Sequence, residues 1–565
     1  MKRKTFLLPA LLLAAASSFA SPAMPGNKKH ITLADGTTVV AELMGDEFIS
    51  WWQAEDGTRY VPSTDNADIY VAADFDKMQK HAAAMRAPLE RSGIGGEHIT
   101  YKGHKKGLIV LVQFADTKFK DKHGRDYYDK IANEIGFTND EGYNGSVRDY
   151  YLAQSNGQFE LTFDVVGPVT VSKEASYYGE NSGNRKDIHV GEMLREATDA
   201  IAPEVNFADY DWDDDGTADQ VFYIYAGLGE AAGGDANTIW PHTYYMKSRG
   251  GVLTYSTGKV DKYACASELL GINGATPPSG IGTICHEFSH CLGFPDTYDT
   301  KGQKLYGMGY YDLLANGNYI NNGLTPPNFT AWERIYAGWV EPIVLDRAAT
   351  VKSMASSTDY GRPFIMYNDK NDNEYYLFEN RQKTGWDAHL YGNGLMITHV
   401  DYLKGRWTNN TVNATGYDHQ RCTIFHADNS EGNTKATDIA GDLYPYAGKN
   451  VSGTYYGANN QLTDDSTPAA TLWNSHNINI GAGLMGKPVT EITQNEDGTI
   501  SFLVMGGDDS NVLDNNFNTG ITTVRPSADR PADRSVYSLN GVRLGTSLDT
   551  LPSGIYIVGG KKIVK

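Results

Sequence analysis

Thr283-Ile284-Cys285-His286-Glu287-Phe288-Ser289-His290-Cys291-Leu292-Gly293-Phe294-Pro295-Asp296 reads H-E-x-x-H-x-x-G-x-x-D. Histidines four apart stand on one face of a helix, one turn from each other. Both imidazoles can then point at a single metal ion, and the glutamate between them reaches a water bound to that metal. Gly293 tolerates the left-handed conformation that ends a helix abruptly, and the turn it makes brings Asp296 back as a third ligand. Three protein ligands plus one water make a catalytic zinc site, not a structural one.

A second acidic stretch lies upstream. Asp211-Trp212-Asp213-Asp214-Asp215-Gly216-Thr217-Ala218-Asp219 places carboxylates at alternate positions with Gly at the sixth, like the start of a calcium loop. The twelfth position of an EF-hand needs Glu, and here it is Phe222. The expectation is a calcium loop of another kind, with Asp211, Asp213, Asp215 and Asp219 as ligands, because clustered carboxylates repel one another without a cation.

With 565 residues, 40% hydrophobic and 11% aromatic, the chain has material for several cores. A net charge of −20 excludes nucleic acid as a partner and argues against an anionic membrane surface. Met1-Lys2-Arg3-Lys4, an apolar run from Phe6 to Ala16 and Ser18-Phe19-Ala20 read as a secretory signal peptide cut after Ala20. No later stretch is long and apolar enough for a transmembrane segment, so the expected location is extracellular or at the cell surface. Export permits disulfides among Cys265, Cys285, Cys291 and Cys422. Cys285 and Cys291 are too far apart along a helix to bridge each other. Either they pair with Cys265 and Cys422, or these are buried free thiols.

The chain divides into a signal peptide (1–20), a small β-rich pro-segment (21–104), an α/β or α+β catalytic domain (105–345), an all-β sandwich (346–506), a polar linker (507–534) and a short β-like C-terminal segment (535–565). Gly107 to Phe114 and Val221 to Tyr225 are apolar runs of the fully buried strand type. Ser146 to Asn156 and Ile188 to Ala202 have helical patterns, and the metal helix is expected near 279–292. The pro-segment carries no cysteine to block a zinc, so that task falls to an Asp, a Glu or a main-chain carbonyl from residues 21–100.

The chain resembles the immune-inhibitor-A-like secreted metallopeptidases, which are metzincin-like zinc endopeptidases. The resemblance rests on the Asp-rich loop feeding a strand (Asp211 to Ala226), Ile239-Trp240-Pro241-His242, the metal motif through Asp299, Tyr311-Asp312-Leu313-Leu314, and Trp332-Glu333-Arg334. It continues in Phe378-Glu379-Asn380-Arg381-Gln382 and Gly394 to Asp401. It implies zinc on His286, His290 and Asp296, Glu287 as general base, and hydrolysis of peptide bonds in extracellular proteins by a zinc-bound water. The methionine that lies under the metal in such enzymes is either Met308 or replaced by Leu314, and Tyr310 or Tyr311 is a candidate oxyanion donor. His242 is left unassigned. Residues Val536 to Lys562 resemble the sorting domains of the type IX secretion route, which implies passage through that machinery. A rival reading is a surface adhesin or glycan-binding protein with a vestigial zinc site.

Overall fold

The computed structural model describes residues 19–85, 101–182, 185–272, 274–302, 305–431, 435–449, 455–474 and 483–515, with four short strands between 536 and 564. The signal-peptide run before Phe19 and residues 86–100 lie outside the described residues. The fold is mixed α/β with several sheets.

The central sheet has six strands in the order Phe19–Ala20, His242–Tyr245, Lys262–Leu269, Val221–Leu228, Gly103–Gln113 and Phe159–Thr170. The last four are parallel, and His242–Tyr245 runs antiparallel beside them. Their side chains alternate between two cores, as a strand period of two requires. Ile109, Leu111, Phe222 and Ile224 face Val147–Gln154 and the metal helix Ile281–Cys291. Leu108, Val110, Val221 and Tyr223 face Val190–Ile201. Burial on both faces explains the unbroken apolar runs in the sequence.

The expected boundary at 104/105 falls inside the strand Gly103–Gln113. Tyr101 also packs in the catalytic core, and its hydroxyl donates to the Leu292 carbonyl at 2.8 Å. The β-rich segment before it forms a closed barrel of Lys28–Leu33, Thr38–Gly45, Ser50–Ala54, Arg59–Pro62 and Ile69–Ala72. Ile31, Leu43 and Trp52 of the barrel share an apolar cluster with Ala231 and Trp240 of the peptidase-motif region.

From Ile343 onward, a five-stranded and a four-stranded sheet enclose a core that includes Val351, Phe364, Phe378, Ile397 and Phe502. Phe378 and Phe502 stack across it, 6.0 Å between ring centres. Residues 507–515, expected as the start of a linker, are ordered against the four-stranded sheet, and 516–534 lie outside the described residues. Val512–Leu513 adds a strand to the four-stranded sheet, and buried Asn515 bonds the main chain of Ala355 and Arg362. The polar side chains there satisfy backbone rather than solvent. All four cysteines are free and buried, the second of the two alternatives: each thiol is packed in a core or beside the metal helix.

Candidate active site

Every residue of the helix Ile281–Cys291 is buried. Two glycines set its surroundings. Gly282 faces the chain at Asn318, where an added Cβ would lie 2.0 Å from the Asn318 carbonyl oxygen, so only glycine lets the 316–323 segment approach. Gly293 has φ of 88° and turns the chain out of the helix. That turn delivers the Phe294 carbonyl to His290 Nδ1 at 2.7 Å, and Leu313 supplies a carbonyl to His286 Nδ1 at 2.7 Å. Each imidazole therefore carries its proton on Nδ1 and presents a lone pair at Nε2.

The two Nε2 atoms lie 3.3 Å apart, and Asp296 Oδ1 is 3.3 Å from one and 3.4 Å from the other. Three acceptor atoms converge in a buried site, and Asp296 Oδ1 has no hydrogen-bond donor. Such a cluster is tolerable only around a cation. The spacing fits zinc, because ligands about 2.0–2.1 Å from a tetrahedral ion are about 3.3–3.4 Å from one another. The other carboxylate oxygen of Asp296 accepts from Asn410 Nδ2 at 2.6 Å, and Asn410 Oδ1 accepts from the Asp296 amide at 2.7 Å. Asn410 comes from beyond the peptidase-motif region and fixes the third ligand.

Glu287 lies beside this triangle, fully buried. Its Oε2 accepts from the Thr243 hydroxyl at 2.8 Å. Burial raises its carboxyl above the ordinary carboxylate range, opposed by the neighbouring His286 and His290. Its Oε1 accepts from both the amide and the hydroxyl of Ser21, each at 2.8 Å. Phe19 and Ala20 precede it as a strand paired with Thr243 and His242. The amino-terminal segment thus passes through the cleft. The group that Ser21 places at Glu287 is a donor to the base.

Met308 and Leu314 are both buried in the core beside the metal helix. Tyr311 donates to the Ile439 carbonyl at 2.6 Å, which commits its hydroxyl away from the metal, and Tyr310 packs edge-on against Tyr391. A different tyrosine, Tyr319, reaches the cleft and donates to the Pro22 carbonyl at 2.8 Å. His242 is locked between the Trp240 carbonyl and the Tyr263 hydroxyl, and burial lowers it to a pKa of about 3. It is a neutral packing residue.

Of the four aspartates expected to bind calcium, Asp211, Asp213 and Asp215 come together. Asp219 turns inward, where its carboxylate takes the Trp212 amide, because the strand that follows pulls it under the loop.

Residues 99–339 match the family model of the immune inhibitor A peptidase M6, catalytic domain. That stretch is similar to an M6 peptidase catalytic domain. The pre-pro-metalloprotease PrtV of Vibrio cholerae serotype O1 is 29% identical over 271 residues, which cover 40% of this chain and 29% of that protein. Immune inhibitor A of Bacillus thuringiensis subsp. alesti is 23% identical over 300 residues, 45% of this chain and 43% of that protein. The matches span less than half the length of these curated relatives, and residues 99–339 include the H-E-x-x-H-x-x-G-x-x-D motif. No helix among the described residues is long and apolar enough to cross a membrane.

Proposed function

We propose that the chain is a secreted, metzincin-like zinc endopeptidase held latent by its own amino-terminal segment. The observation that carries this reading is the triangle of His286, His290 and Asp296 donor atoms beside buried Glu287. Bound there, zinc supplies Lewis acidity toward the scissile carbonyl and the attacking water. Glu287 accepts the proton of that water and delivers it to the leaving nitrogen, a role that suits a carboxyl raised by burial. Thr243 holds the carboxylate in place from the sheet edge. Asn410 and the two main-chain carbonyls keep the ligands in one orientation, so no reorganisation precedes reaction.

Latency follows from Ser21. Its two hydrogen bonds occupy the Glu287 oxygen that must take the proton. Signal-peptide cleavage after Ala20 would turn the Ser21 nitrogen into an α-amino group beside the base, which strengthens the contact. The protein trimmed of residues before the catalytic body is expected to cleave casein at least tenfold faster than the untrimmed form. Equal rates would sink latency and leave the peptidase reading intact. Asp211, Asp213 and Asp215 form the proposed calcium loop, and export through the type IX route belongs to the same reading.

The test of the peptidase reading is Glu287→Ala, assayed after trimming. Zinc content is expected to stay at one per chain while kcat falls by about three orders of magnitude or more. Retained activity would remove Glu287 from the mechanism. Intact zinc with an inert trimmed wild type would favour the adhesin reading.

A further inference from the structure

The amino-terminal segment lies in the cleft as a peptide, and its contacts show which side chains grip a main chain there. Ser21 N donates to Glu287 Oε1 at 2.8 Å. In hydrolysis, the leaving nitrogen must occupy that position to receive a proton from the base. Ser21 therefore stands where the first residue of the leaving strand stands, and Pro22 where the second does. Phe19 and Ala20, on the acyl side, are paired with the sheet edge at Thr243 and His242.

On the leaving side the described residues add no paired strand from the peptidase-motif region, only a single main-chain bond from the Met24 amide to the Ala231 carbonyl at 2.8 Å. The two carbonyls of that side are held by side chains instead: Ser21 O by Trp240 Nε1 at 2.9 Å, and Pro22 O by the Tyr319 hydroxyl at 2.8 Å. The Met24 side chain then enters a small apolar cluster with Ala232 and Leu270, against which Tyr319 also packs. Both donors are preset. Trp240 is fully buried and follows Ile239, whose carbonyl takes the Tyr225 hydroxyl. Tyr319 sits in the segment that Gly282 allows to lie against the metal helix.

We propose that Trp240 and Tyr319 are substrate-positioning residues. Each donates to one main-chain carbonyl of the leaving strand, so the enzyme cleaves faster where at least two residues follow the scissile bond and favours sites within chains over those at their carboxyl ends. This rests on the peptidase reading. A carbonyl donor is indifferent to side-chain identity, so the clamp selects for chain length, not sequence. Positioning of this kind contributes to rate because it fixes the reacting bond against the base.

Tyr319→Phe tests it, since the ring stays and only the hydroxyl goes. Two matched peptides are compared on the trimmed enzyme, one ending with a single residue after the cleaved amide bond, its terminal carboxyl blocked as a methyl ester, the other continuing for three residues and blocked in the same way. Loss of one hydrogen bond is expected to lower kcat/KM about 5- to 10-fold for the long peptide, mostly through KM, and to leave the short one within twofold. An equal fall for both would make Tyr319 structural and overturn the proposal, as would no fall for either. The untrimmed full chain gives a readout that needs no turnover. There Tyr319→Phe is expected to speed amide exchange at Ala23 and Met24 with zinc content unchanged, and unchanged exchange would count against the clamp. Failure of the peptidase reading shows separately, as activity surviving in Glu287→Ala.

Discussion

Two clusters of metal-binding type lie in this molecule, and they are held together in opposite ways. His286, His290 and Asp296 are fully buried, and every polar atom not facing the centre is tied to something else: two main-chain carbonyls and Asn410. Asp211 is half-buried, Asp213 and Asp215 are exposed, and the carboxylates of Asp211 and Asp215 fold back on their own turn. Asp211 accepts from the amides of Asp215 and Gly216 at 3.2 and 2.7 Å, and Asp215 from Thr217 at 2.8 Å. The first site brings three buried ligand atoms together on one point, the arrangement a cation requires. The second has a use for its carboxylates whether or not a cation is present. A buried cluster of lone pairs is costly without its ion, whereas an exposed one is solvated.

The largest expected effect follows from that contrast. His290→Ala should abolish stoichiometric zinc and all peptide hydrolysis, while Asp213→Asn should leave both within about twofold. Metal analysis and a casein assay on the two variants check this. Loss of zinc in Asp213→Asn would mean the clusters are coupled. Asn410→Ala comes next. It removes the group that orients Asp296, and zinc affinity should drop about 10- to 100-fold in a competitive chelator titration. An unchanged affinity would show that the peptidase-motif region holds its third ligand unaided.

The contrast also shows where the sequence is legible. The spacing H-E-x-x-H-x-x-G-x-x-D is local, so helix period and one glycine turn suffice to place three ligands and a base. The buried strands around Val110 and Ile224 are legible for the same reason. Asn410 is 114 residues from Asp296, and no local pattern points to it. Tyr319 was hidden among neighbouring tyrosines. Which of Tyr310, Tyr311 and Tyr319 reaches the cleft depends on the close approach of the 316–323 segment to Gly282, a tertiary fact. Asp219 fits the alternation of the acidic loop, but the strand starting at Val221 draws it inward. Ser21 carries no motif, and only the docked barrel places it at Glu287. The polar stretch after 507 misleads because Asn515 spends its side chain on backbone.

A smaller effect separates buried charge near the cleft from exposed charge in the loop. Burial, helped by nearby Glu230, raises the Asp187 carboxyl from 3.8 to about 8. The folded chain then keeps a proton there that the unfolded chain releases near its ordinary pKa. This group's stabilising contribution is full below about pH 4 and is lost as pH rises toward about 8. Asp187→Asn keeps an acceptor for the Trp240 amide and carries no charge. Urea denaturation between pH 4 and 8 should show wild-type stability declining relative to the variant, by at most about 1.4 kcal/mol per pH unit. Parallel curves would show that Asp187 titrates normally. The smallest effect belongs to the acidic loop. Calcium should raise the wild-type Tm by a few degrees, and Asp211→Asn should shrink that shift. An identical shift in both would place the calcium elsewhere.

X-ray absorption at the zinc edge of the full-length protein tests the central claim most directly, because it reads the ligand shell without relying on turnover. The account predicts one zinc per chain with nitrogen and oxygen neighbours only, at about 2.0–2.1 Å, two of them imidazoles. A sulfur neighbour at about 2.3 Å, or a chain that retains no zinc, would contradict it.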